Sequence, residues 1–199
     1  MTGDGATVGG VVLAAGESSR FGSENKLLAQ VAGEQIVRHA AVTLVESGLA
    51  EVVAVLGHEA DLVADTLEGI RLDVLVNHRY DEGQHTSVAV GVEAARERGW
   101  DAAVFALGDM PFVDPATVDC LLEAYRAGEG EVLAPTAGDR RGNPVLFDAA
   151  YFDELAGVDG DRGGRGIVEA EGTLVPVEDP GVHRDVDTRG DLPGLDDPD

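Results

Sequence analysis

The sequence predicts a three-layer α/β protein, an open and mostly parallel sheet of Rossmann-like character with helices on both faces. Three observations predict it. Short, continuous apolar runs rich in β-branched residues recur along the chain, as buried parallel strands require. Segments with apolar residues at helical spacing separate them. Several of the runs end directly in polar, glycine-containing loops, and open parallel sheets bind ligands at the carboxyl ends of their strands.

The elements follow in order. Val8–Ala15 reads as the first buried strand, followed by a polar loop at Gly16–Asn25. Ile36, Val37, Ala40, Ala41, Leu44 and Val45 recur on one helical face, and Gly48 is placed to stop that helix. Glu51–Leu56 is a strand, Ala60–Leu67 a helix and Leu72–Val76 a short strand. Asn77–Gln84 is a polar loop before a helix at Thr86–Arg98. Ala102–Leu107 is a strand that runs into Gly108-Asp109-Met110-Pro111. Pro115–Ala127 is a helix with proline at its first position. Glu131–Pro135 and Pro144–Phe147 are strands around a loop at Thr136–Asn143. A turn at Gly157–Gly166 precedes a strand at Thr173–Val177. One domain is expected over residues 1–192, with an acidic, disordered tail at 193–199.

The net charge is -24, from 38 acidic against 14 basic residues, while 44% of the residues are hydrophobic. So acidic a surface excludes nucleic acid and anionic membranes as partners, since both need a basic face. Dispersed carboxylates on a chain able to form a packed core suit a protein that works in strong salt, where screening tolerates their repulsion. The lone Cys120 lies in an apolar stretch and allows neither an internal disulfide nor a cysteine-based metal site. No apolar run approaches a membrane span, and the N-terminus shows no export signal, so the cytoplasm is the expected location.

Two elements carry candidate chemistry. The loop Leu13-Ala14-Ala15-Gly16-Glu17-Ser18-Ser19-Arg20-Phe21-Gly22, with Lys26 beyond it, is neither a P-loop nor a dinucleotide fingerprint. Its small residues still let backbone N–H groups approach phosphate oxygens, and Arg20 and Lys26 can neutralise phosphate charge. Lys26 is the only lysine; the other 13 basic residues are arginine. A compact ammonium suits a crowded phosphate site. Asp109, at the end of a buried strand, can hold Mg²⁺, which takes one or two carboxylates plus phosphate and water. Asp187 is a candidate second carboxylate in a chain already dense in acids.

In this order the motifs resemble those of small nucleotidylyltransferases, most closely the molybdenum cofactor cytidylyltransferase family, from about Val8 to Leu192. The resemblance implies the nucleotide-diphospho-sugar transferase fold. It implies a triphosphate loop at Leu13, Ala14, Ala15 and Gly16 through Lys26, base and ribose contacts at Asn77, Gly83 and Ser87, and Mg²⁺ on Asp109 and Asp187. Arg141, Asn143 and Arg165 correspond to the acceptor-side segments Arg141–Phe147 and Gly160–Arg165. The Ala-Ala-Gly loop resembles the CTP users of the group. Asn143 stands where the family usually has His, and His85 where Met is frequent.

The implied reaction moves CMP from CTP to the phosphate of a molybdopterin-type phosphomonoester and releases pyrophosphate. A phosphate nucleophile needs no general base, which fits the absence of a His–carboxylate dyad. A molybdenum hydroxylase or its maturation factor is the implied partner. Two other readings stay open: transfer to a sugar phosphate or methylerythritol phosphate, and a cofactor-binding or delivery protein without turnover.

Overall fold

The computed structural model describes residues 5–18, 21, 24–157 and 164–192. Strand β1 (Val8–Ala14) is followed by a two-residue hairpin, β2 (Gln30–Val31) and β3 (Glu34–Gln35), and helix α1 (Ile36–Val45). Then come β4 (Val52–Leu56), α2 (Ala60–Thr66), β5 (Asp73–Val76), α3 (Gln84–Glu97), β6 (Ala102–Leu107) and α4 (Pro115–Arg126). The last part holds β7 (Val132–Ala137), β8 (Arg140–Arg141), β9 (Val145–Asp148), α5 (Phe152–Ala156), α6 (Arg165–Glu171) and β10 (Thr173–Pro176). Arg20, Gly22, residues 160–163 of the expected glycine-rich turn and the tail at 193–199 lie outside the described residues.

Eight of the ten described strands form one sheet in the order β10-β7-β9-β6-β1-β4-β5, with β8 paired to β7, while β2 and β3 pair separately. β1 lies parallel between β4 and β6, and β5 parallel to β4. β9 is antiparallel to both β6 and β7. The mostly parallel α/β sheet expected from the sequence is therefore present, with β9 reversed inside it and the two-residue β8 reversed beside β7.

Strand alternation splits the core into two layers. Val12, Ala14, Ala54, Leu56 and Val104 face one side, where Ile36 and Leu44 of α1 and Leu121 and Tyr125 of α4 cover them. Val11, Val53, Val55 and Phe105 face the other, against Val88 and Val92 of α3, Leu155 of α5 and Ile167 of α6. Burial on both faces explains why these strands read as unbroken apolar runs. Each fully buried Val, Leu or Phe contributes about 1.5–3 kcal/mol. Gly9 sits in β1 because the Trp100 ring lies over it; a Cβ there would come within 2.2 Å of that ring.

Three expectations needed correction. Helix α3 starts at Gln84, two residues before the expected Thr86, which turns the end of the polar loop into a helix N-terminus. The expected loop at Thr136–Asn143 contains β8, turned back on β7 through Gly138 at φ 63°. Helix α6 begins at Arg165, inside the expected turn Gly157–Gly166, and α5 stands just before that turn where no element was expected; both are short helices that gain stability from packing rather than length. Among the described residues, no helix is long and apolar enough to cross a membrane.

Candidate functional site

The carboxyl ends of β1 and β6, the start of α3 and the segment around Asp187 enclose a cavity of about 270 Å³. Leu13, Ala14, Ala15, Gly16, Lys26, Ser87, Asp109 and Asp187 line it, as do Glu17, Ser18, Leu27, Tyr80, Gln84 and Leu107. Four chain segments separated by up to about 170 residues thus meet where the sheet topology places a ligand crevice.

Lys26 is the centre of the arrangement. Its Nζ donates to Asp109 Oδ2 at 2.6 Å and to Asp187 Oδ1 at 3.1 Å. Burial pulls the ammonium's pKa down, but the charge and hydrogen bond of Asp109, joined by those of Asp187, outweigh it and hold the pKa above the ordinary lysine value. Local backbone chemistry sets the side chain in place. Asn25 caps the single 3-10 turn Lys26–Leu28, its Oδ1 accepting from Leu27 N at 3.1 Å. Ser18, at φ 55°, donates its hydroxyl to the same Oδ1 and accepts from Lys26 N at 3.1 Å. Ser18 and Asn25 therefore tie the ends of the loop together.

Asp109 follows β6 by one residue beyond Gly108. Gly108 N donates to Leu13 O at 2.9 Å, which locks the two strand ends side by side. A Cβ at Gly108 would meet Leu13 O and Ala14 Cβ at 3.0 Å, so a side chain there would have to push the two strand ends slightly apart. Asp109 O in turn accepts from Val186 N at 2.9 Å, which delivers the next residue, Asp187, to the same spot. Asp187 N and Thr188 N both donate to Asp191 Oδ2, at 3.1 and 2.7 Å. Those hydrogen bonds, led by the ones from Thr188, hold the Asp191 carboxyl below its usual pKa.

Asn77 and Gly83 are expected to touch the nucleotide, but neither lines the cavity. Asn77 is 3% exposed, and its amide is engaged at both ends. Nδ2 donates to Thr86 Oγ1 at 2.8 Å and Ser87 Oγ at 2.9 Å, while Oδ1 accepts from Arg79 N at 2.9 Å. In this structure Asn77 shapes the wall from behind. Gly83, at φ 117°, makes the turn that starts α3 and brings Gln84 and Ser87 to the cavity. Tyr80 reaches the opposite side because Gly57 lies beneath it: a Cβ there would sit 2.5 Å from Tyr80 Cβ. His78 and His85 are not on the lining.

Arg141, Asn143 and Arg165 line a second cavity of about 250 Å³. It shares Leu13, Gln84 and Leu107 with the first, so the two adjoin. Val88, Phe105, Val145, Phe147, Leu155 and Val168 give this neighbour an apolar body. Arg165 is paired with Glu169 at 3.2 Å. Arg141 is exposed and has no ion pair among the described residues. Sequence reasoning missed Ser18, Asn25, Tyr80 and Gln84. Only Ser18 and Asn25 carried a local signal, as turn and cap residue types.

A family model described as a MobA-like NTP transferase domain matches residues 10–175. Over 190 residues the chain is 34% identical to nicotine blue oxidoreductase of Paenarthrobacter nicotinovorans, covering 91% of this chain and 92% of that protein. It is 34% identical over 121 residues to the bifunctional protein GlmU of Agrobacterium fabrum, covering 59% of this chain but only 26% of GlmU. Among solved structures, Rv0371c of Mycobacterium tuberculosis superposes with a TM-score of 0.79 at 28% identity, over 94% of this chain and 95% of that one. The same protein has been crystallised in complex with manganese, and that structure matches with a TM-score of 0.77 at 27% identity over 94% and 96% of the two chains. A family model matching residues 10–175 and a relative 34% identical over 91% of this chain show that the chain belongs to the MobA-like NTP transferase family.

Proposed function

We propose that this chain is a cytidylyltransferase that moves CMP from CTP to the phosphate of a molybdopterin-type phosphomonoester, with Mg²⁺ as its cation. The observation that carries the reading is the convergence of Asp109, Asp187 and Lys26 under the Leu13–Ser18 loop. Asp109 and Asp187 fit a divalent cation: both direct an oxygen to one point, and the second Asp109 oxygen, Oδ1, is buried without a hydrogen-bond partner among the described residues. Bound there, the cation would neutralise and polarise the α-phosphate. The manganese complex of Rv0371c supports a divalent ion in this fold.

The chain's own residues do the rest. The backbone of Gly16–Ser18 offers N–H groups to the triphosphate, and a Cβ at Gly16 would meet no protein atom within 4 Å, so that side of the loop is open to a ligand. Lys26, and Arg20 from its place in the same loop, stabilise charge on the departing pyrophosphate. An acceptor phosphate oxygen attacks the α-phosphorus; the bond to the bridging oxygen of the β-phosphate breaks, and pyrophosphate leaves with that electron pair. Positioning and charge stabilisation supply the catalysis. The adjoining apolar cavity, with Arg141 and Asn143 at its polar end, suits an acceptor with a ring body and an anionic group better than a hydroxyl-rich sugar.

A pyrophosphate-release screen of CTP, GTP, ATP and UTP against molybdopterin, methylerythritol phosphate and sugar phosphates, in strong salt, tests this. Release with CTP and molybdopterin is expected. No release from any pair, with folded protein and Mg²⁺, would overturn the reading. The nearly full-length match to nicotine blue oxidoreductase supports a second reading, an oxidoreductase acting on nicotine blue or a similar compound. Bleaching of nicotine blue by a reduced nicotinamide nucleotide, without pyrophosphate release, would establish that reading instead.

A further inference from the structure

We propose that Lys26 is an exchangeable occupant of the cation seat. Its ammonium and a divalent cation exclude each other between Asp109 and Asp187, so the cation binds the free protein weakly and binds strongly once a triphosphate takes the ammonium. This rests on the reading of Asp109 and Asp187 as cation ligands.

Three observations carry it. The ammonium touches an oxygen of each carboxylate, at 2.6 and 3.1 Å, so it occupies the point on which they converge. The ammonium, Asp109 and Asp187 side chains are 14%, 21% and 31% exposed, so water screens their charges only partly. Two such carboxylates repel each other without a positive charge between them, and two positive charges do not share that space. The described residues also provide no group of three or more His, Cys, Asp or Glu side chains for a metal. Two carboxylates alone make a weak Mg²⁺ site, and phosphate oxygens are the usual complement.

The side chain suits an exchange. A lysine ammonium rides on a flexible four-carbon stem, unlike the planar fork of arginine, and this chain uses arginine at every other basic position. Lys26 lines the cavity of about 270 Å³ beside Gly16, whose outer side is open. It can therefore move from the carboxylates to a phosphate without displacing the core. The free protein keeps its acidic pair neutralised, and a nucleotide exchanges one positive partner for another.

The single lysine makes the test direct. With ¹³Cε-labelled lysine, the wild-type protein gives one side-chain signal, that of Lys26. Titration of nucleotide-free protein with Mg²⁺ should move that signal in step with metal binding. Metal that binds this carboxylate pair while the signal stays fixed overturns the proposal. Mn²⁺ binding followed by electron paramagnetic resonance should be tighter by about tenfold or more in Lys26→Met than in wild type, from removal of one competing charge. The gain should vanish in Lys26→Met/Asp109→Asn. Equal affinity of wild type and Lys26→Met overturns the proposal even if other variants fail to fold. Adding α,β-methylene-CTP should raise wild-type Mn²⁺ affinity to the level of nucleotide-free Lys26→Met or beyond, because its phosphate oxygens add ligands; a bound analogue that leaves it unchanged also overturns the proposal. Failure of pyrophosphate release with these binding results intact would instead remove only the nucleotidyl-transfer reading.

Discussion

Replacing Asn77 separates a ligand contact from a support. Its side chain makes three hydrogen bonds, to Thr86 Oγ1, Ser87 Oγ and Arg79 N, and it is 3% exposed. Asn77→Ala removes all three and leaves buried hydroxyls short of a donor. At about 1 kcal/mol for each bond, the loss is about 3 kcal/mol. In a chain of this size each kcal/mol lowers Tm by about 2–4 °C, so thermal unfolding should fall by about 6–12 °C. Asn77→Asp should behave similarly, because a carboxylate cannot donate to the two hydroxyls. Differential scanning calorimetry reads the stability, and CTP-dependent pyrophosphate release reads the site. The expected pattern is a large fall in Tm together with weaker CTP use, because Gln84 and Ser87 lose their backing. An Asn77→Ala protein with wild-type Tm and a raised KM for CTP alone would refute this reasoning and make Asn77 a direct nucleotide contact.

Other predictions follow from the same geometry. Lys26→Ala should cut kcat/KM for CTP by about 10²-fold or more, the scale for losing one donor to developing charge, and Asp109→Asn should abolish metal-dependent pyrophosphate release. In a stability cycle, Lys26→Met and Asp109→Asn should be non-additive by about 1–2 kcal/mol, since each removes the other's partner; additive losses in urea unfolding would show that the ion pair does not hold the site. Tyr125 donates to Asp148 Oδ2 at 2.6 Å, and burial, then that hydrogen bond, push its phenol above the ordinary range. Its contribution is complete below the unfolded phenol pKa, about 10, and is lost as pH rises from there through the folded value. Tyr125→Phe should flatten that alkaline part of the stability profile. Finally, the net charge of -24 predicts that Tm rises by about 5 °C or more between about 0.1 M and about 2 M KCl; a salt-independent Tm would end the strong-salt reading of the surface.

The elements whose signal is local were legible before any fold. β6 occupies the expected Ala102–Leu107, the six apolar positions assigned to α1 all fall within Ile36–Val45, and α4 ends one residue before the expected Ala127. Burial on both faces makes the strands continuous in hydropathy, and that property survives in one dimension. Helices α5 and α6 did not stand out, because five and seven residues are too few to display a periodic face. The antiparallel insertion of β9 was equally hidden, since strand direction depends on pairing partners far away in the chain.

The site divides in the same way. Composition and motif order singled out the lone Lys26, the small-residue loop before it, and the strand-end Asp109. That Lys26 lies between Asp109 and Asp187 was settled only by folding, through the Gly108–Leu13 and Val186–Asp109 hydrogen bonds that align three distant segments. Asn77 shows the converse case. The family resemblance implied a base contact there, but an amide can recognise a ligand or brace a loop equally well, and only the fold shows the three hydrogen bonds that engage it. Sequence determines which groups are available; tertiary structure determines which partners satisfy them, because a polar group withdrawn from water must bond to whatever the fold sets beside it.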